Sequence, residues 1–427
     1  MIGANLENKT HNTGVSSINS ASDFDRVVAY YRRLPALHKS NDLQKLRPCP
    51  LCGASSEKEL LQIKDFQFYG DQFGENRATH RVVICDECDT LYTNPCYTQK
   101  GFEKLFEKAA MSYGHTEERS DEQCEWLLKR IPSCSSVLDF GCGDGAFLKS
   151  LPSTIRCIGV DANLDMQSTE ESHIIYRSID YTDPPEMPAV DLITMFHVLE
   201  HLTDPLATLS YLRENMSDGT QLVVEVPVIE RAVAEQGQDI VGFFTVQHLT
   251  HFSKSSLETM LGQAGWEIYD SDNIVGYNGY RVLARAAQSR NVVISSKINI
   301  GNAVSEYLET WRGNVAKLRA RLNSLTSEDV VVWGAGQHTE YLAHLTDLFG
   351  ESQRYLIVDS DQLKCGTKMH SIPIVSPAEI NEKLWREGDF VIVISSYGSQ
   401  DSIREILLEK GVEPSRIIHL YDKTNRY

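Results

Sequence analysis

The stretch that decides the fold is VLDFGCGDGAFLKSL, residues 137–151. An apolar run containing Asp139 ends in three glycines at every second position, Gly141, Gly143 and Gly145, and a helical segment follows. Glycine adopts positive φ angles readily and lets a bound molecule approach the backbone closely. The stretch therefore predicts a strand, a tight turn and a helix, with a ligand held at the turn. A dinucleotide-binding turn would show the spacing G-x-G-x-x-G, which differs from the spacing here.

Strand-like and helical segments alternate on the C-terminal side of this stretch. Such alternation predicts an α/β fold with a mostly parallel sheet, which we place at residues 100–290. The strand-like runs are SVLDF (136–140), CIGVDA (157–162), VDLITMF (190–196), TQLVVEVP (220–227), WEIYDS (266–271) and YRVLARA (280–286).

The glycine turn, preceded by an acid on the strand, resembles motif I of the class I S-adenosylmethionine (SAM) methyltransferases. The resemblance implies a Rossmann-like domain whose turn holds the amino-acid end of SAM. It also implies that Asp161 binds the ribose hydroxyls, that Asp180 contacts the adenine amine, and that His197 lines the pocket. The cofactor-binding residues implied in this way are Asp139, Gly141, Gly143, Gly145, Asp161, Asp180 and His197.

The segment HVLEH, from His197 to His201, also fits the H-x-x-E-H pattern of zinc proteases. That pattern requires a helix that carries both histidines, together with a distant third ligand. Here it follows the fourth strand of the resembling methyltransferase fold, so we exclude a protease. We expect both histidines to line the cofactor pocket or to cap the next helix.

Two Cys-x-x-Cys pairs precede the α/β region: Cys49 with Cys52, and Cys85 with Cys88. Zinc binds four thiolates at tetrahedral angles, and a two-residue gap lets one turn supply two of them. Gly53 suits the tight turn after the first pair. We predict a structural zinc ion and a small zinc-binding domain at residues 41–99. Four sulfur ligands leave no open position for catalysis, so this zinc is expected to stabilise folding.

A second, smaller Rossmann-like α/β unit is predicted at residues 327–427, where VVVWGAGQHT and IVDSD repeat the strand–turn–acid order with Asp359. Thr339 replaces the third glycine of a nucleotide-binding turn. Both a cofactor-free scaffold that closes the substrate cleft and a nucleotide site remain open. A connecting amphipathic helix is predicted at residues 291–326, packed either on its own chain or in a dimer seam. Its apolar positions are Val304, Leu308, Trp311, Val315, Leu318, Leu322 and Leu325.

The full layout resembles the bacterial C-methyltransferases that act on nucleotide-linked keto-deoxysugars. The resemblance implies that His248, in TVQHLTHFS, is the general base and that Tyr113 faces the substrate. The family tends to carry Tyr-x-Glu-His here, whereas this chain has Gln247 before His248 and a threonine in place of the tyrosine. Gln247 can hydrogen-bond a sugar or nucleotide. Because HLTHFS also occurs in related O- and N-methyltransferases, transfer to a hydroxyl or amine remains an alternative.

Of the two histidines in TVQHLTHFS, His251 is expected to be structural, and Ser253 to cap the following helix. A metal at this pair is not expected, since no acid or third histidine is evident nearby in the sequence. A non-catalytic protein that keeps SAM only as a ligand is the remaining alternative from another functional class.

The composition limits the partners of this 427-residue chain. Its 41 basic and 59 acidic residues give a formal net charge of −18, which opposes binding to nucleic acid or to an anionic membrane. No apolar run is long enough to span a membrane, and residues 1–40 suggest a disordered leader with a short helix. Ten cysteines, four of them in the two zinc-binding pairs, favour a reducing compartment, so a cytoplasmic protein is expected. We also expect a monomer or homodimer that acts on a small-molecule substrate.

Overall fold

The computed structural model describes residues 42–71, 75–106, 117–161, 174–178, 188–288, 297–350 and 352–424. The predicted leader and its short helix lie outside these residues. No helix within the described ranges is long and apolar enough to cross a bilayer.

The first part of the chain forms a small antiparallel sheet around the paired cysteines. Strands β2, β3 and β4 pair in sequence, and β1 pairs with β5. The first cysteine pair precedes β2, and the second begins at the last residue of β3 and ends in the turn between β3 and β4. The elements are β1 (Gln44–Lys45), β2 (Glu57–Gln67), β3 (Arg77–Cys85), β4 (Leu91–Thr93), β5 (Cys96–Tyr97) and α1 (Gln99–Phe106).

The central part contains a seven-stranded sheet among the described residues, in the order β12-β13-β10-β9-β6-β7-β8. Only β13 runs against its neighbours, so the prediction of a mostly parallel α/β sheet is confirmed. The elements are α2 (Glu117–Arg130), β6 (Ser136–Phe140), α3 (Ala146–Ser150), β7 (Arg156–Asp161), β8 (Ile174–Ser178), β9 (Leu192–Phe196), α4 (Pro205–Asn215), β10 (Gln221–Pro227), α5 (Ile229–Gln236), β11 (Thr250–His251), α6 (Lys254–Ala264), β12 (Trp266–Asn273) and β13 (Gly279–Ala286).

The order of the strands reverses between β6 and β9. The chain moves outward from β6 to β7 and β8, and then returns to the other side of β6. In open α/β sheets, ligands bind in the crevice outside the carboxyl ends of the strands at such a switch point. The glycine turn follows β6 directly, so it lies at this crevice.

The strands β8 and β11 were not among the sequence-based predictions. Strand β11, only two residues long, does not join the central sheet. It pairs with β4 of the first sheet, so that Thr250 faces Tyr92 and His251 faces Leu91. The helix that follows β11 begins as predicted: the Ser253 Oγ accepts the Ser256 backbone N–H at 3.0 Å, which caps α6.

The last part of the chain forms a second α/β unit with the described strand order β16-β17-β15-β14-β18-β19. All neighbours in this sheet are parallel except β16 and β17. The elements are α7 (Gly301–Asn323), β14 (Asp329–Trp333), α8 (Gln337–Leu345), β15 (Arg354–Val358), β16 (Lys368–Met369), β17 (Ile372–Val375), α9 (Glu382–Glu387), β18 (Val391–Ile394), α10 (Gln400–Glu409) and β19 (Ile417–Ile418).

Helix α7 connects the two α/β units and buries its apolar positions within the chain. Its Trp311 donates its Nε1–H to the Ile240 carbonyl at 2.8 Å. Its buried side chains belong to one core cluster that also contains Phe66 of β2, Phe244 and Tyr341 of α8. The three parts of the chain therefore share a hydrophobic core, and α7 packs on its own chain.

Candidate functional site

The glycine turn leaves its backbone uncovered on the crevice side. Gly141, Gly143 and Gly145 have φ angles of +85°, +52° and +77°, a region that disfavours other residues. A Cβ atom on Gly141 would lie 2.3 Å from Val198 Cγ2, whereas one on Gly143 would meet nothing within 4 Å. The turn thus packs tightly against the segment after β9 and remains open at Gly143.

Two carboxylates flank this turn in different environments. Asp161, at the end of β7, accepts the Gly143 backbone N–H at 3.0 Å. Asp139 is buried within β6 and accepts the Thr194 hydroxyl of β9 at 2.7 Å. Burial, with a smaller contribution from Asp161, raises the pKa of Asp139 to about 7. Asp139 therefore ties β6 to β9 beneath the turn, and Asp161 stands beside the exposed backbone.

His197 lies directly after β9 in the left-handed region, with a φ angle of +57°. Its Nε2 lies 2.8 Å from Glu225 Oε1 and also contacts the Arg119 guanidinium. Its Nδ1 lies 3.2 Å from both Glu200 Oε1 and the Tyr277 hydroxyl. Burial and Arg119 lower the pKa of His197, but the two carboxylates outweigh them and hold it above its usual value. Protein groups thus engage both ring nitrogens at the edge of the crevice.

The HVLEH segment does not have the geometry of a zinc-protease helix. Leu199–His201 form a single 3-10 turn, and His197 precedes that turn with left-handed backbone. The two histidines therefore do not share a helix.

The TVQHLTHFS loop is fixed between the central sheet and the first sheet. The Thr93 hydroxyl donates to the His248 carbonyl at 2.9 Å, and the Thr93 N–H donates to the Leu249 carbonyl at 2.9 Å. On the other side, the Leu249 N–H donates to the Glu200 carbonyl at 2.7 Å. The His201 Nδ1 lies 3.0 Å from the Gln247 carbonyl. These bonds place His248 beside the turn that follows β9.

The two histidines of this loop have different environments. His248 Nδ1 lies 3.3 Å from the Phe243 carbonyl, and no hydrogen-bond partner among the described residues reaches its Nε2. With Nδ1–H donated to that carbonyl, Nε2 is the nitrogen that carries the lone pair. Burial, and then the nearby His201 and His251, lower the pKa of His248 well below its usual value. His251 is fully buried, its Nδ1 lies 3.2 Å from the same carbonyl, and burial lowers its pKa to about 3.

The structure brings an acid and a further histidine close to His248, although neither was evident from the sequence. Ligand atoms of Glu200, His201 and His248 all lie within 4.8 Å of one another, and the rings of the two histidines are 5.1 Å apart. Glu200 and His201 come from the turn after β9, which is distant in sequence but adjacent in the fold. Sequence spacing alone could not reveal this contact.

The remaining predicted residues of this region are only partly described. Gln247 is buried, and its neighbour Thr245 donates its hydroxyl to Gln337 Oε1 of α8 at 2.7 Å. The second α/β unit therefore contacts the loop directly. Tyr113 and Asp180 lie outside the described residues.

The four paired cysteines converge at one end of the first sheet. The Sγ atoms of Cys49 and Cys88 are 3.6 Å apart, those of Cys52 and Cys85 are 3.5 Å apart, and all four lie within 4.8 Å of one another. Zinc–sulfur bonds of about 2.3 Å at tetrahedral angles separate the sulfurs by about 3.8 Å. The spacing therefore fits a tetrahedral thiolate site.

Each pair has the same turn geometry. The Gly53 N–H donates to the Cys49 carbonyl at 3.0 Å with a φ angle of +76°. In the second pair, the Asp89 N–H donates to the Cys85 carbonyl at 3.0 Å with a φ angle of +62°. Both turns direct two thiols to the same point.

Polar groups of the glycine turn in the second α/β unit are bonded to side chains of the same unit. The Asp359 carboxylate accepts the Ala335 N–H at 2.8 Å and pairs with Lys364 Nζ at 3.2 Å. The Thr339 hydroxyl lies 2.6 Å from the Gly334 carbonyl and 2.7 Å from Ser395 Oγ. Groups that a nucleotide would need already bind one another, which favours the scaffold interpretation of this unit.

Comparisons with known proteins agree with this architecture. A family model described as "Methyltransferase domain" matches residues 114–271, and one described as "C2185-like, N-terminal" matches residues 326–418. Curated relatives include the tRNA U34 carboxymethyltransferase of Aliivibrio fischeri (strain MJ11), 32% identical over 130 residues. The protein of the same name from Vibrio parahaemolyticus is 31% identical over 130 residues. Each match spans 27% of this chain and 40% of the relative's length.

Solved structures include human N-acetylserotonin methyltransferase in complex with SAM. It is 15% identical, with a TM-score of 0.35, over 44% of this chain and 60% of that protein. With so low a score, the assignment rests on the family match, on the sheet topology and on the glycine turn at the switch point. The chain contains a class I SAM-dependent methyltransferase domain.

Proposed function

We propose that this chain is a SAM-dependent methyltransferase that acts on a small molecule, and that it methylates a carbon beside the ketone of a nucleotide-linked sugar. The proposal of methylation at carbon rests on the hydrogen bonding of the His248 ring nitrogens. Its Nδ1 lies 3.3 Å from the Phe243 carbonyl and no described residue hydrogen-bonds its Nε2, in a loop fixed beside the turn after β9.

The groups around the first glycine turn suit SAM, which when bound supplies an electrophilic methyl group. SAM has no phosphate, so its binding requires close backbone approach and hydrogen-bonding groups instead of a phosphate cradle. The open backbone at Gly143 allows the close approach, and the Asp161 carboxylate offers hydrogen-bond acceptors for ribose hydroxyls. Asp139 supports the turn from below through Thr194, and His197 holds the end of β9 in the ion network of Glu225.

His248 has the proton arrangement that a general base needs. A carbon beside a ketone must lose a proton before its electron pair can form a bond to the methyl carbon. The Nε2 lone pair of His248 accepts that proton while Nδ1–H stays on the Phe243 carbonyl. Because burial and the neighbouring histidines lower its pKa, His248 is neutral at pH 7. General-base assistance of this kind contributes roughly 10²–10⁴-fold to the rate.

The four-cysteine cluster is proposed to hold a structural zinc ion. Its four soft donors and their spacing suit tetrahedral Zn²⁺ and leave no position for a substrate. The ion would stabilise the first sheet. Because β11 pairs with β4 of that sheet, it would also stabilise the end of the loop that carries His248.

The name of the curated relatives raises the question of an RNA substrate. Their match covers less than half of their own length, and this chain carries a formal net charge of −18. Nucleic-acid binding depends on positive groups that neutralise phosphates. The charge therefore favours a small molecule. A sugar hydroxyl or amine remains the second candidate acceptor, because such a group can attack without prior removal of a carbon-bound proton.

A deuterium-exchange assay tests the acceptor. A panel of keto-sugar nucleotides in D₂O, followed by mass spectrometry, should show exchange beside the ketone with the wild-type protein. The His248→Asn variant should lose exchange and methyl transfer by roughly 10²–10⁴-fold. His419→Asn, a substitution in the second α/β unit, is the matched control and should retain both.

The outcomes separate the alternatives. S-adenosylhomocysteine formation without exchange would assign an O or N acceptor. Unchanged exchange in His248→Asn would remove His248 as the base. Transfer to tRNA but to no small molecule would overturn the substrate class. Elemental analysis that finds no metal in a protein with intact thiols would overturn the zinc proposal.

A further inference from the structure

A second group of metal-ligating side chains lies where the second α/β unit meets the first sheet. It consists of Glu340 and His344 on α8 and His370 in the turn between β16 and β17, here called the Glu340 cluster. We propose that the Glu340 cluster binds a divalent transition-metal ion of the zinc class. This site is independent of the four cysteines and of the methyltransferase crevice.

The ligand atoms of the cluster already face one point. His344 Nε2 lies 2.9 Å from Glu340 Oε1, and His370 Nε2 lies 2.6 Å from Glu340 Oε2. Zinc holds imidazole nitrogen and carboxylate oxygen at about 2.0–2.2 Å, which places such atoms about 3.3 Å apart in a tetrahedral site. An ion would therefore replace the two N–H···O contacts with a small outward shift of each ring. Imidazole and carboxylate together suit zinc and its neighbours better than calcium or magnesium.

The backbone directs all three side chains inward. Glu340 and His344 are four residues apart on α8 and so lie on one face of the helix. His370 and the following Ser371 have φ angles of +50° and +68°, a region that residues with a side chain rarely adopt. This unfavourable turn brings the His370 ring onto Glu340.

The burial of the cluster suits a bound cation with one open position. The Glu340 side chain is 0% exposed, while His344 and His370 are 24% and 22% exposed. A buried carboxylate requires a positive partner or full hydrogen bonding. The Gln67 backbone N–H of β2 donates to Glu340 Oε1 at 2.6 Å and orients the carboxylate from behind. The two histidines form the solvent side, where water can supply a fourth ligand.

The position of the cluster gives the ion a structural consequence. Glu340 Oε1 accepts the backbone N–H of Gln67 in the first sheet, and Gln67 Oε1 accepts the backbone N–H of His370 at 3.1 Å. Next to Glu340, the Tyr341 hydroxyl donates to the Phe244 carbonyl at 2.6 Å, one residue before the TVQHLTHFS loop. A metal at the Glu340 cluster would thus hold the second α/β unit against the first sheet and beside that loop.

The test counts metal ions on the full chain. The protein is saturated with Zn²⁺, dialysed against metal-free buffer and examined by elemental analysis. We expect two zinc ions per chain in the wild type, and one in the His344→Asn/His370→Asn double variant. The single variant Glu340→Gln should also retain only one, and His419→Asn should retain two.

A spectroscopic measurement guards against a variant that loses metal because it misfolds. After Co²⁺ substitution, the thiolate charge-transfer bands report the four-cysteine site alone. The double variant should keep these bands at full intensity while its cobalt content falls from two ions to one.

Three results would overturn the proposal. The first is one ion per chain in the saturated wild type together with thiolate bands of full intensity, which would assign that ion to the four cysteines. The second is two ions in the double variant, which would place the second ion elsewhere, as at Glu200, His201 and His248. The third is loss of the thiolate bands together with the ion, which would show that the substitutions act through the fold.

Discussion

The two α/β units carry the same local arrangement with different side-chain partners. In each, a strand enters a glycine turn, and an aspartate at the end of the next strand accepts a backbone N–H of that turn: Gly143 to Asp161 at 3.0 Å, and Ala335 to Asp359 at 2.8 Å. The first turn presents bare backbone to the crevice. In the second turn, the Thr339 hydroxyl binds the Gly334 carbonyl and Lys364 pairs with Asp359, although Gly336 itself has open space around it. The shared fold therefore provides the turn, and the side chains beyond it decide whether a ligand can enter.

Alanine at one glycine of each turn gives the largest expected contrast. Gly141→Ala combines a left-handed backbone with a Cβ 2.3 Å from Val198, so unfolding free energy should fall by about 2–5 kcal/mol. Gly336→Ala has open space around its Cβ and extended backbone, so the change should stay within about 0.5 kcal/mol. Chemical denaturation of both variants measures the difference. Equal losses would contradict the difference in packing at these two positions.

The two aspartates give the next contrast. Asp161→Asn should weaken S-adenosylhomocysteine binding by roughly 10–100-fold, since a charged acceptor beside the open turn is lost. Asp359→Asn should leave that affinity unchanged, because Asp359 pairs with Lys364 inside its own unit. Isothermal titration calorimetry measures both affinities. A comparable loss in the second variant would indicate that its turn contributes to ligand binding.

Acidification should affect the two units in opposite directions. The pKa of Asp139 is about 7 in the folded state against 3.8 in the unfolded state. Protonation of Asp139 therefore stabilises the folded state increasingly as pH falls from 7 toward 4. Burial lowers the pKa of His338 to about 3 against 6.5, so its contribution to stability falls as pH drops from 6.5 toward 3. Each slope approaches about 1.4 kcal/mol per pH unit.

The pH effect is measured with variants. Between pH 6.5 and 4.5, the wild type should gain stability relative to Asp139→Asn and lose it relative to His338→Gln. If the stability of the wild type relative to each variant changed in the same direction with pH, the protonation state of Asp139 or of His338 would be assigned wrongly.

Removal of the Thr339 hydroxyl from the second turn should have the smallest effect on the protein. Thr339→Val removes the hydroxyl that binds the Gly334 carbonyl and Ser395, at a cost of about 1–2 kcal/mol in unfolding free energy. Thermal denaturation should detect this loss, while S-adenosylhomocysteine affinity stays unchanged. If Thr339→Val instead creates affinity for a nucleotide, a latent site lies behind the hydroxyl.

The sequence allowed the periodic features of this molecule to be predicted. Apolar runs such as 136–140 and 220–227 became central strands, and the glycine turn lies at the switch point of the sheet. Each cysteine pair forms a local turn, and both turns have the same hydrogen bond. These predictions depend on neighbours within a few residues, which is the range over which sequence patterns are informative.

The features that escaped prediction depend on contacts between distant segments. Strand β11 has two residues and exists only because β4 pairs with it. Glu200 and His201 reach His248 through the fold, with β10 and two helices between them in sequence. The same holds for His370, which meets Glu340 from 30 residues away in the sequence.

The pairing of β11 with β4 has a consequence for protein engineering. A chain shortened to begin near residue 100 would retain β11 but lose its partner strand, together with the Thr93 bonds to the His248 and Leu249 carbonyls. An orphaned strand with unpaired backbone groups invites pairing between molecules. Exchanging methyltransferase modules between related chains would therefore require transferring the cysteine-bearing sheet as well, since the sheet supplies part of the loop that bears His248.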